Sequence, residues 1–327
     1  MGTIVSQRIV TGDPTRLNCD ARHKPLVSII ITHFNYSDFI RDAILSVIYQ
    51  THENWELVVV DDASSKEHRA QLERILSELS DARIRYLPLS ENVGQTLSFF
   101  AGLEVTHGDF VCALDPDDRY APTFIEEALA GHLNPYVICP VLSTDQYLLS
   151  RQGLISGGFQ THMKRREWEP QSGHSFRLPW QSANLYFISA NAPGWHWSTT
   201  SSLMFRRAAL SYLRPHKSFP FKDSLDAYIA QGAHILGGTL FFTKPLIYRM
   251  VHERNDWISN NIYSSFQKQE RADAIPEGDI ALQLAKEALR VNGAPVDIIR
   301  SRSPYRRKEP LLIRWKRSII ERLPFRA

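Results

Sequence analysis

The N-terminal half of the chain alternates short β-branched apolar runs with stretches of helical periodicity. The run Leu26–Thr32 (LVSIIIT) precedes Ile40, Ile44 and Val47, which recur at helical spacing after the capping residues Ser37 and Asp38. Strands alternating with helices indicate βαβ units. We therefore predict an α/β, Rossmann-type fold with a mostly parallel sheet flanked by helices. Further strands are predicted at Glu56–Val60, Ile84–Leu87, Asp109–Leu114 and Tyr136–Val141, and helices at Lys66–Leu79, Thr96–Glu104 and Pro122–Leu133.

The second half is less regular. Short apolar runs predict strands at Ser201–Phe205, Gly238–Phe242 and Leu246–Tyr248, and helical patterns cover Asp223–Gln231 and Pro276–Arg290. Three cysteines without a C-x-x-C pair indicate neither a disulfide framework nor a zinc site, which favours a reducing compartment. The N-terminus resembles no signal peptide, and no long apolar run could span a membrane. A cytoplasmic location is therefore expected.

Charge is unevenly distributed along the chain. Residues 301–327 hold nine Lys and Arg against two Glu, so the other 300 residues carry 29 basic and 33 acidic groups. An acidic body argues against nucleic acid as a partner. The tail mixes bulky apolar and basic residues at helical spacing, which predicts peripheral binding to the inner face of an anionic membrane. A basic-edged helix packed on its own domain explains the same pattern equally well.

Two acidic clusters follow predicted strands. Asp61 and Asp62 come directly after the second strand, and Asp115, Asp117 and Asp118 after the fourth. The carboxyl ends of parallel strands share one edge, which is where such sheets bind ligands. Crowded carboxylates repel one another unless a cation is present, and oxygen-rich sites suit Mg²⁺ or Mn²⁺. The alternative is that these residues only form turns or cap helices.

Five stretches in order resemble the inverting family 2 glycosyltransferases with the GT-A fold, as found among enzymes of bacterial cell-surface polysaccharides. They are VSIIITHFN at 27–35, SVIYQT at 46–51, ELVVVDDAS at 56–64, ENVG at 91–94 and GDF through LDPDD at 108–118. The resemblance covers about residues 25–140. Family members usually carry an Ala-Arg-Asn-like segment after the Asn-x-Gly loop, whereas this chain has Leu97-Ser-Phe-Phe100.

The resemblance implies roles for named residues in the first half. Asp62 would accept a hydrogen bond from the nucleotide base, and Asp118 would be the metal ligand. Asp117 would bind the ribose or the metal, and Asp115 would be a supporting acid. The nucleotide-sugar site would also include Thr32, His33, Phe34, Asn35 and Gly94.

In the second half the resemblance is fainter. Thr200–Arg207 looks like the strand before an acceptor region, and Asp226 stands where similar enzymes place a catalytic base, with Asp223 as the fallback. His252 would touch the diphosphate or the metal. Asp226 as a solvated helix residue and His252 as the cap of a turn are the structural alternatives. Trp180, Trp195 and Trp197 fit either a carbohydrate platform or ordinary packing.

These expectations define a function: inverting transfer of a sugar from a nucleotide-sugar donor, most commonly a UDP-sugar, to the hydroxyl of a glycan or lipid-linked glycan. The implied division is a leader at 1–24, a nucleotide-sugar-binding half at 25–145, an acceptor-binding half at 146–265 and a C-terminal helical region with the basic tail at 266–327. An inactive sugar-nucleotide or glycan-binding protein and a phosphotransferase with an Asp nucleophile are the alternatives. A nicotinamide enzyme would need the absent G-x-G-x-x-G.

Overall fold

A computed structural model describes residues 24–150, 153–157, 175–179, 185–192, 195–217, 219–220, 222, 225–252, 254 and 277–295. Within these residues, eleven strands form one sheet in the order β3-β2-β1-β4-β10-β6-β11-β9-β8, with β5 paired to β11 and β7 to β6. The strands are β1 Val27–His33, β2 Trp55–Asp61, β3 Ile84–Pro88, β4 Phe110–Leu114, β5 Arg119–Tyr120, β6 Val141–Ser150, β7 Gly153–Gly157, β8 Ser175–Leu178, β9 Leu185–Ile188, β10 Leu203–Arg206 and β11 Thr239–Met250.

The described helices cover both faces of this sheet. They are α1 Ile40–Ile48, α2 Lys66–Leu79, α3 Gln95–Glu104, α4 Phe124–His132, α5 Arg207–Ser211, α6 Leu225–Gly237 and α7 Glu277–Val291, with a short 3₁₀ turn at Thr200–Ser202. None of them combines the length and apolar character that a membrane-spanning helix needs.

The first four strands in chain order form the parallel part of the sheet. β1 pairs in parallel with β2 and β4, and β2 pairs in parallel with β3. The predicted α/β architecture is confirmed, and the carboxyl ends of β1, β2 and β4 share one edge. Beyond β4 the sheet is mixed, because β10 runs antiparallel to both β4 and β6 while β6 and β11 are parallel. β6 crosses position 145, so the two expected halves share one sheet.

Side-chain alternation along β1 builds a core on each face. Ile29 and Ile31 point into a cluster with residues of α1, α2 and α4, whereas Ile30 points into a cluster with α3, α6 and α7. All three isoleucines are at most 1% exposed. Burial on both faces explains why the parallel strands are continuous apolar runs rather than alternating ones.

Three local predictions were wrong. No strand covers Tyr136–Val141, because the Asn134 side chain accepts hydrogen bonds from the backbone of Tyr136 and Val137 and forms a turn there; β6 begins only at Val141. Helix α1 has Phe39 at its N-cap, without a side-chain cap. Ser37 and Asp38 instead bond to α2, Ser37 through its hydroxyl to His68 and Gln71 and Asp38 through its carboxylate to Gln71.

The third error concerns β11, which was expected as two short strands. It runs continuously over Thr239–Met250, with register shifts on both sides of Pro245. A proline cannot donate to the ladder and is tolerated at such irregularities. The second part of β11 then pairs with β5, directly after the Asp115–Asp118 loop, and so reaches the predicted site.

Candidate functional site

Asp61, at the end of β2, is held by residues from three elements. The Tyr36 backbone N–H donates to His33 Nε2, which leaves the ring proton on Nδ1 to donate to Asp61 Oδ1 at 3.0 Å. Arg69 of α2 donates to Asp61 Oδ2, also at 3.0 Å. Burial opposes ionisation of Asp61, but the hydrogen bonds from His33, Ser64 and Arg69 outweigh it and lower the pKa of Asp61 to about 2. Asp61 is therefore a buried, ionised residue with a structural role beneath the site.

This depressed pKa predicts acid sensitivity. A carboxyl whose folded pKa is below its unfolded value stabilises the fold above the unfolded value, and that stabilisation is lost as pH falls. Between the ordinary value of 3.8 and about 2, the wild type is expected to lose stability that an Asp61→Asn variant never had. Urea unfolding as a function of pH measures this difference. Equal pH dependence in the two proteins would contradict it.

Asp62 anchors the loop before α3. Its Oδ1 accepts from the Val93 backbone N–H at 2.8 Å and its Oδ2 from that of Gly94 at 2.9 Å. The Asp62 side chain is almost fully buried, at 3% exposure. Asp62 thus fixes where the Asn-x-Gly loop lies, and through it the start of α3.

Gly94 joins this loop to the acceptor half. Its φ is +88°, and a Cβ placed there would lie 2.5 Å from the Lys222 Cα. The Gln95 backbone N–H donates to the Lys222 carbonyl at 2.6 Å, and Lys222 Nζ donates to Asn92 Oδ1 at 2.7 Å. Lys222 stands four positions before Asp226, so this docking helps place the start of α6.

We expect Gly94→Ala to destabilise the fold by about 1–3 kcal/mol, because left-handed strain and a backbone clash add together. Gly153 is the matched control, since its φ is +127° but no atom lies within 4 Å of the position that a Cβ would take there. Gly153→Ala should therefore cost only the strain of the positive φ. Urea denaturation measures both variants. A Gly94→Ala cost no larger than that of Gly153→Ala would show that the Lys222 contact is unimportant.

The Asp115–Asp118 loop is bonded to the second half of the chain. Ser201 Oγ accepts from the Asp115 backbone N–H at 3.1 Å and donates to Asp118 Oδ2 at 2.6 Å. The other oxygen of Asp118, Oδ1, accepts from the Met250 backbone N–H at 3.2 Å. Asp118 is 3% exposed. Its carboxylate is therefore fixed by β11 and by the turn before β10.

The carboxylates at this rim lie close enough to oppose one another's ionisation. Burial and then repulsion by Asp117 raise the pKa of Asp118 to about 7. Burial, Asp118, Asp117 and Asp226 raise the pKa of Asp115 well above its ordinary range, while Arg249 opposes that rise. The structure therefore brings Asp226, from the first turn of α6, together with the loop after β4.

Asp226 faces the same rim from the first turn of α6. Burial raises its pKa, whereas a hydrogen bond of 2.7 Å from the Ala227 backbone N–H to its Oδ1 and the charge of Arg249 lower it in part. Gln95 links the two sides, because its side chain donates to Asp115 Oδ1 at 2.9 Å and its backbone N–H donates to the Lys222 carbonyl. Asp223, the predicted fallback, lies outside the described residues, as do Trp180 and residues 301–327.

His252 and Asp117 form a contact across the rim. His252 Nε2 lies 2.9 Å from Asp117 Oδ2. Among the described residues, no three His, Cys, Asp or Glu side chains form a ready-made metal-binding group. The carboxylate oxygens of Asp117 and Asp118 nevertheless suit a hard divalent cation. The raised pKa values of Asp115 and Asp118 reflect burial and repulsion between the carboxylates, which the charge of Arg249 offsets only in part.

The remaining predicted residues lie at the end of β1. Phe34 is 46% exposed, Thr32 is partly exposed and His33 is 0% exposed. Asn35 has a φ of +58° and accepts from the Ser65 backbone N–H at 2.8 Å. Phe34 and Thr32 thus offer surface to a ligand, whereas His33 acts beneath the surface. Trp197 is a core residue that donates to Thr239 Oγ1 at 3.1 Å, so ordinary packing is the alternative that holds for Trp197.

Sequence reasoning missed four contributors to the site: Ser201, Gln95, Lys222 and Arg249. Ser201 and Lys222 act through contacts that span 83 and 130 positions, respectively. Arg249 had a signal, since it is the basic residue in the Tyr-Arg segment that precedes His252.

Comparison with known families decides the identity of the domain. Residues 28–190 match the family described as glycosyl transferase family 2. Through this domain, the chain belongs to glycosyltransferase family 2. The putative teichuronic acid biosynthesis glycosyltransferase TuaG of Bacillus subtilis is 38% identical over 106 residues, which cover 32% of this chain and 41% of TuaG. The putative colanic acid biosynthesis glycosyl transferase WcaA of Escherichia coli is 29% identical, covering 48% of this chain and 53% of WcaA. The chain thus spans about half the length of these relatives or less.

Solved structures support the GT-A fold. TarS of S. aureus, in a complex with UDP-GlcNAc, superposes with a TM-score of 0.52 at 16% identity, over 81% of this chain and 66% of TarS. The mannosyltransferase PcManGT of Pyrobaculum calidifontis, in a complex with GDP-Man and Mn²⁺, superposes with a TM-score of 0.50 at 15% identity, over 92% of this chain and 81% of that protein. At these identities the likeness concerns the fold.

Proposed function

We propose that this protein is an inverting glycosyltransferase that moves a sugar from a nucleotide-sugar donor to a hydroxyl acceptor. The observation that carries the proposal is the convergence of Asp226 with Asp115, Asp117 and Asp118 at the carboxyl edge of the parallel strands. One acidic group comes from the acceptor half and three from the loop after β4. That arrangement supplies a base on one side of the transferred sugar and a charged cradle on the other.

Asp226 would act as the general base. A sugar hydroxyl is a weak nucleophile, and a positioned carboxylate that takes its proton during attack lowers the barrier. The acceptor oxygen would bond to the anomeric carbon while the bond from that carbon to the diphosphate oxygen breaks on the opposite face. Inversion follows from this direct displacement. The raised pKa of Asp226 makes it a stronger proton acceptor than an exposed aspartate.

Asp118, with Asp117, would hold Mg²⁺ or Mn²⁺, and His252 would lie beside them. A divalent cation bound there would neutralise charge that develops on the departing nucleoside diphosphate. Ser201 and the Met250 backbone keep Asp118 in place. The complex of PcManGT with GDP-Man and Mn²⁺ supports this pairing of donor and cation in the fold, and the complex of TarS with UDP-GlcNAc supports the donor.

The donor nucleotide would lie along the ends of β1 and β2. Phe34 and Thr32 offer surface for the base and ribose. Asp62 holds the neighbouring Asn92–Gly94 loop, and the remaining lone pairs of its carboxylate oxygens would accept a hydrogen bond from the base. His33 would act by positioning Asp61. We propose a UDP-sugar donor and a glycan or lipid-linked acceptor. The Escherichia coli enzyme WfgD, a UDP-Glc:α-D-GlcNAc-diphosphoundecaprenol β-1,3-glucosyltransferase, is 37% identical over 101 residues and supports this choice. Membrane contact through residues 301–327 stays a prediction.

A screen of nucleotide sugars for donor hydrolysis tests the proposal. Released nucleoside diphosphate would be measured with MnCl₂, with MgCl₂ and with a chelator, for UDP-, GDP- and dTDP-linked sugars. One donor class should be hydrolysed with a divalent cation, and Asp226→Asn and Asp118→Asn should abolish that turnover. Donor binding without turnover in any of these conditions would instead favour a binding protein of the same fold.

A further inference from the structure

Arg254 connects the chain that follows β11 to the turn that follows β1. Its Nη2 donates to the Asn35 carbonyl at 2.5 Å, and its Nη1 lies 3.7 Å from Asp38 Oδ2. The guanidinium carbon lies 4.4 Å from the centre of the Tyr36 ring. One side chain therefore contacts three residues of the β1–α1 turn, across 216 to 219 positions of sequence.

The backbone of Arg254 is engaged at the same place. Its carbonyl accepts from the Tyr36 hydroxyl at 2.8 Å, and its N–H donates to His252 Nδ1 at 3.1 Å. The His252 ring stacks on Phe39, with ring centres 4.3 Å apart and planes inclined by 18°. The imidazole is thus held both by a hydrogen bond and by a flat aromatic contact.

These contacts determine which ring nitrogen of neutral His252 carries the proton. Because Nδ1 accepts from Arg254, the proton lies on Nε2, which points at Asp117 Oδ2 from 2.9 Å. A protonated Nε2 cannot ligate a metal, since ligation needs the free lone pair. In this arrangement His252 donates a hydrogen bond to Asp117 and so fixes the orientation of that carboxylate.

We propose that Arg254 is a positioning residue that latches the chain after β11 onto the β1–α1 turn and so holds His252 as a hydrogen-bond donor to Asp117. The proposal rests on the proposed function, because Asp117 matters there as a donor or metal contact. It replaces the expected role of His252 as a metal ligand. Hydrogen-bonded partners of this kind typically change metal affinity by about 10–100-fold when removed.

Ordinary surface packing would explain an arginine over a tyrosine ring, and such a contact contributes only about 0.5–1 kcal/mol. It would not explain why the backbone carbonyl and both ends of the guanidinium contact the same turn while the backbone N–H binds His252. That turn carries Phe34 and Asn35, two residues of the candidate nucleotide site. The latch therefore holds the turn that would carry the base and ribose contacts.

The test compares Arg254→Ala and Arg254→Lys with the wild type. Arg41→Ala is the matched control, because Arg41 is an exposed arginine of α1 whose ion pair with Glu78 lies outside the latch. Isothermal titration with UDP and with GDP, each in MnCl₂, should give about a tenfold weaker Kd for Arg254→Ala, in line with the loss of an orienting partner. Arg254→Lys should recover only part of that loss, since lysine lacks the planar fork. Arg41→Ala should bind as the wild type does.

The protonation of His252 gives a second readout that needs no ligand. With ¹⁵N-labelled histidine, and His252→Gln to assign the signal, the wild type should show a proton on Nε2, and Arg254→Ala a mixture of both tautomers. Tyr36→Phe, which removes only the bond to the Arg254 carbonyl, should give an intermediate result. Wild-type affinity and an unchanged tautomer in Arg254→Ala would overturn the proposal. A wild type that binds neither nucleotide would refute the UDP-sugar donor that we propose, while the tautomer measurement would still decide on the latch.

Discussion

Asp226→Asn is expected to lower kcat by about 10²–10⁴-fold, the usual contribution of a general base, while the affinity for the nucleoside diphosphate stays unchanged. The substitution keeps the shape of the side chain, and the Asn oxygen can still accept from the Ala227 backbone N–H as Asp226 Oδ1 does. Only the ability to take a proton is lost. A loss in kcat without a loss in binding identifies a group that acts in the transition state.

The pH dependence of the same step has a definite sign. Burial raises the pKa of Asp226 above its ordinary value of 3.8, and the base works only when ionised. Turnover should therefore rise with pH through a midpoint above 3.8 and then level off. In Asp226→Asn the residual rate should lack this limb.

Steady-state transfer and titration of the nucleoside diphosphate would be measured for Asp226→Asn and for Asp42→Asn. Asp42 is a suitable control because it also stands in the first turn of a helix, is exposed and pairs with Arg119 rather than with the acidic rim. Asp42→Asn should retain kcat. If Asp226→Asn lost binding and turnover together, or kept its kcat, the assignment of Asp226 as the base would be wrong.

The fold of the N-terminal half could be predicted from sequence because its apolar runs and helical stripes are local patterns. The run Val27–His33 is buried on both faces, and α2 begins and ends at Lys66 and Leu79, as its apolar stripe predicts. Carboxylates placed directly after β2 and β4 meet at one edge by topology alone. The structural role of Asp61 could not be predicted, because nothing in the sequence shows that its buried carboxylate binds His33 and Arg69.

The second half of the chain was harder to predict from sequence because its strands pair with partners that are distant in sequence. β10 is only four residues long and lies between β4 and β6, so its position depends on pairing rather than on its own pattern. The Asn134 turn replaced a strand that apolar composition favoured. The Ser201 contact to Asp118 and the Arg254 latch likewise depend on tertiary structure, which brings together residues that share no local pattern.

Asp118→Asn is the second substitution with a large expected effect. It should weaken metal binding and raise the stability of the metal-free protein. Loss of a charged ligand should weaken Mn²⁺ binding by about 100-fold or more, since removing even an orienting partner costs about 10–100-fold. Without metal, the variant should be more stable than the wild type, because Asn removes a buried charge that Asp117 repels. Each kcal/mol of relief should raise Tm by about 2–4 °C.

The sign of the pH effect follows from the raised pKa. A carboxyl with a folded pKa of about 7 and an ordinary value of 3.8 binds its proton more tightly in the folded state. The stability that it contributes is present below 3.8 and is lost as pH rises to about 7. The Tm advantage of Asp118→Asn should therefore grow over that interval. Mn²⁺ competes with the same proton, so wild-type affinity should rise with pH until about 7 and then level off.

Calorimetric titration with MnCl₂ and thermal unfolding with and without the ion would measure both effects. Ser201→Ala distinguishes the effect of the Asp118 charge from the effect of its orientation. This variant keeps the charge of Asp118 but removes the 2.6 Å hydrogen bond that orients the carboxylate. We expect about tenfold weaker Mn²⁺ binding in that variant, and no gain in metal-free Tm, because the repulsion by Asp117 remains. If Asp118→Asn bound Mn²⁺ as the wild type does, the cation would have to be held elsewhere. If its metal-free Tm fell instead, the carboxylate would be a stabilising structural group whose bonds to Ser201 and Met250 outweigh the repulsion by Asp117.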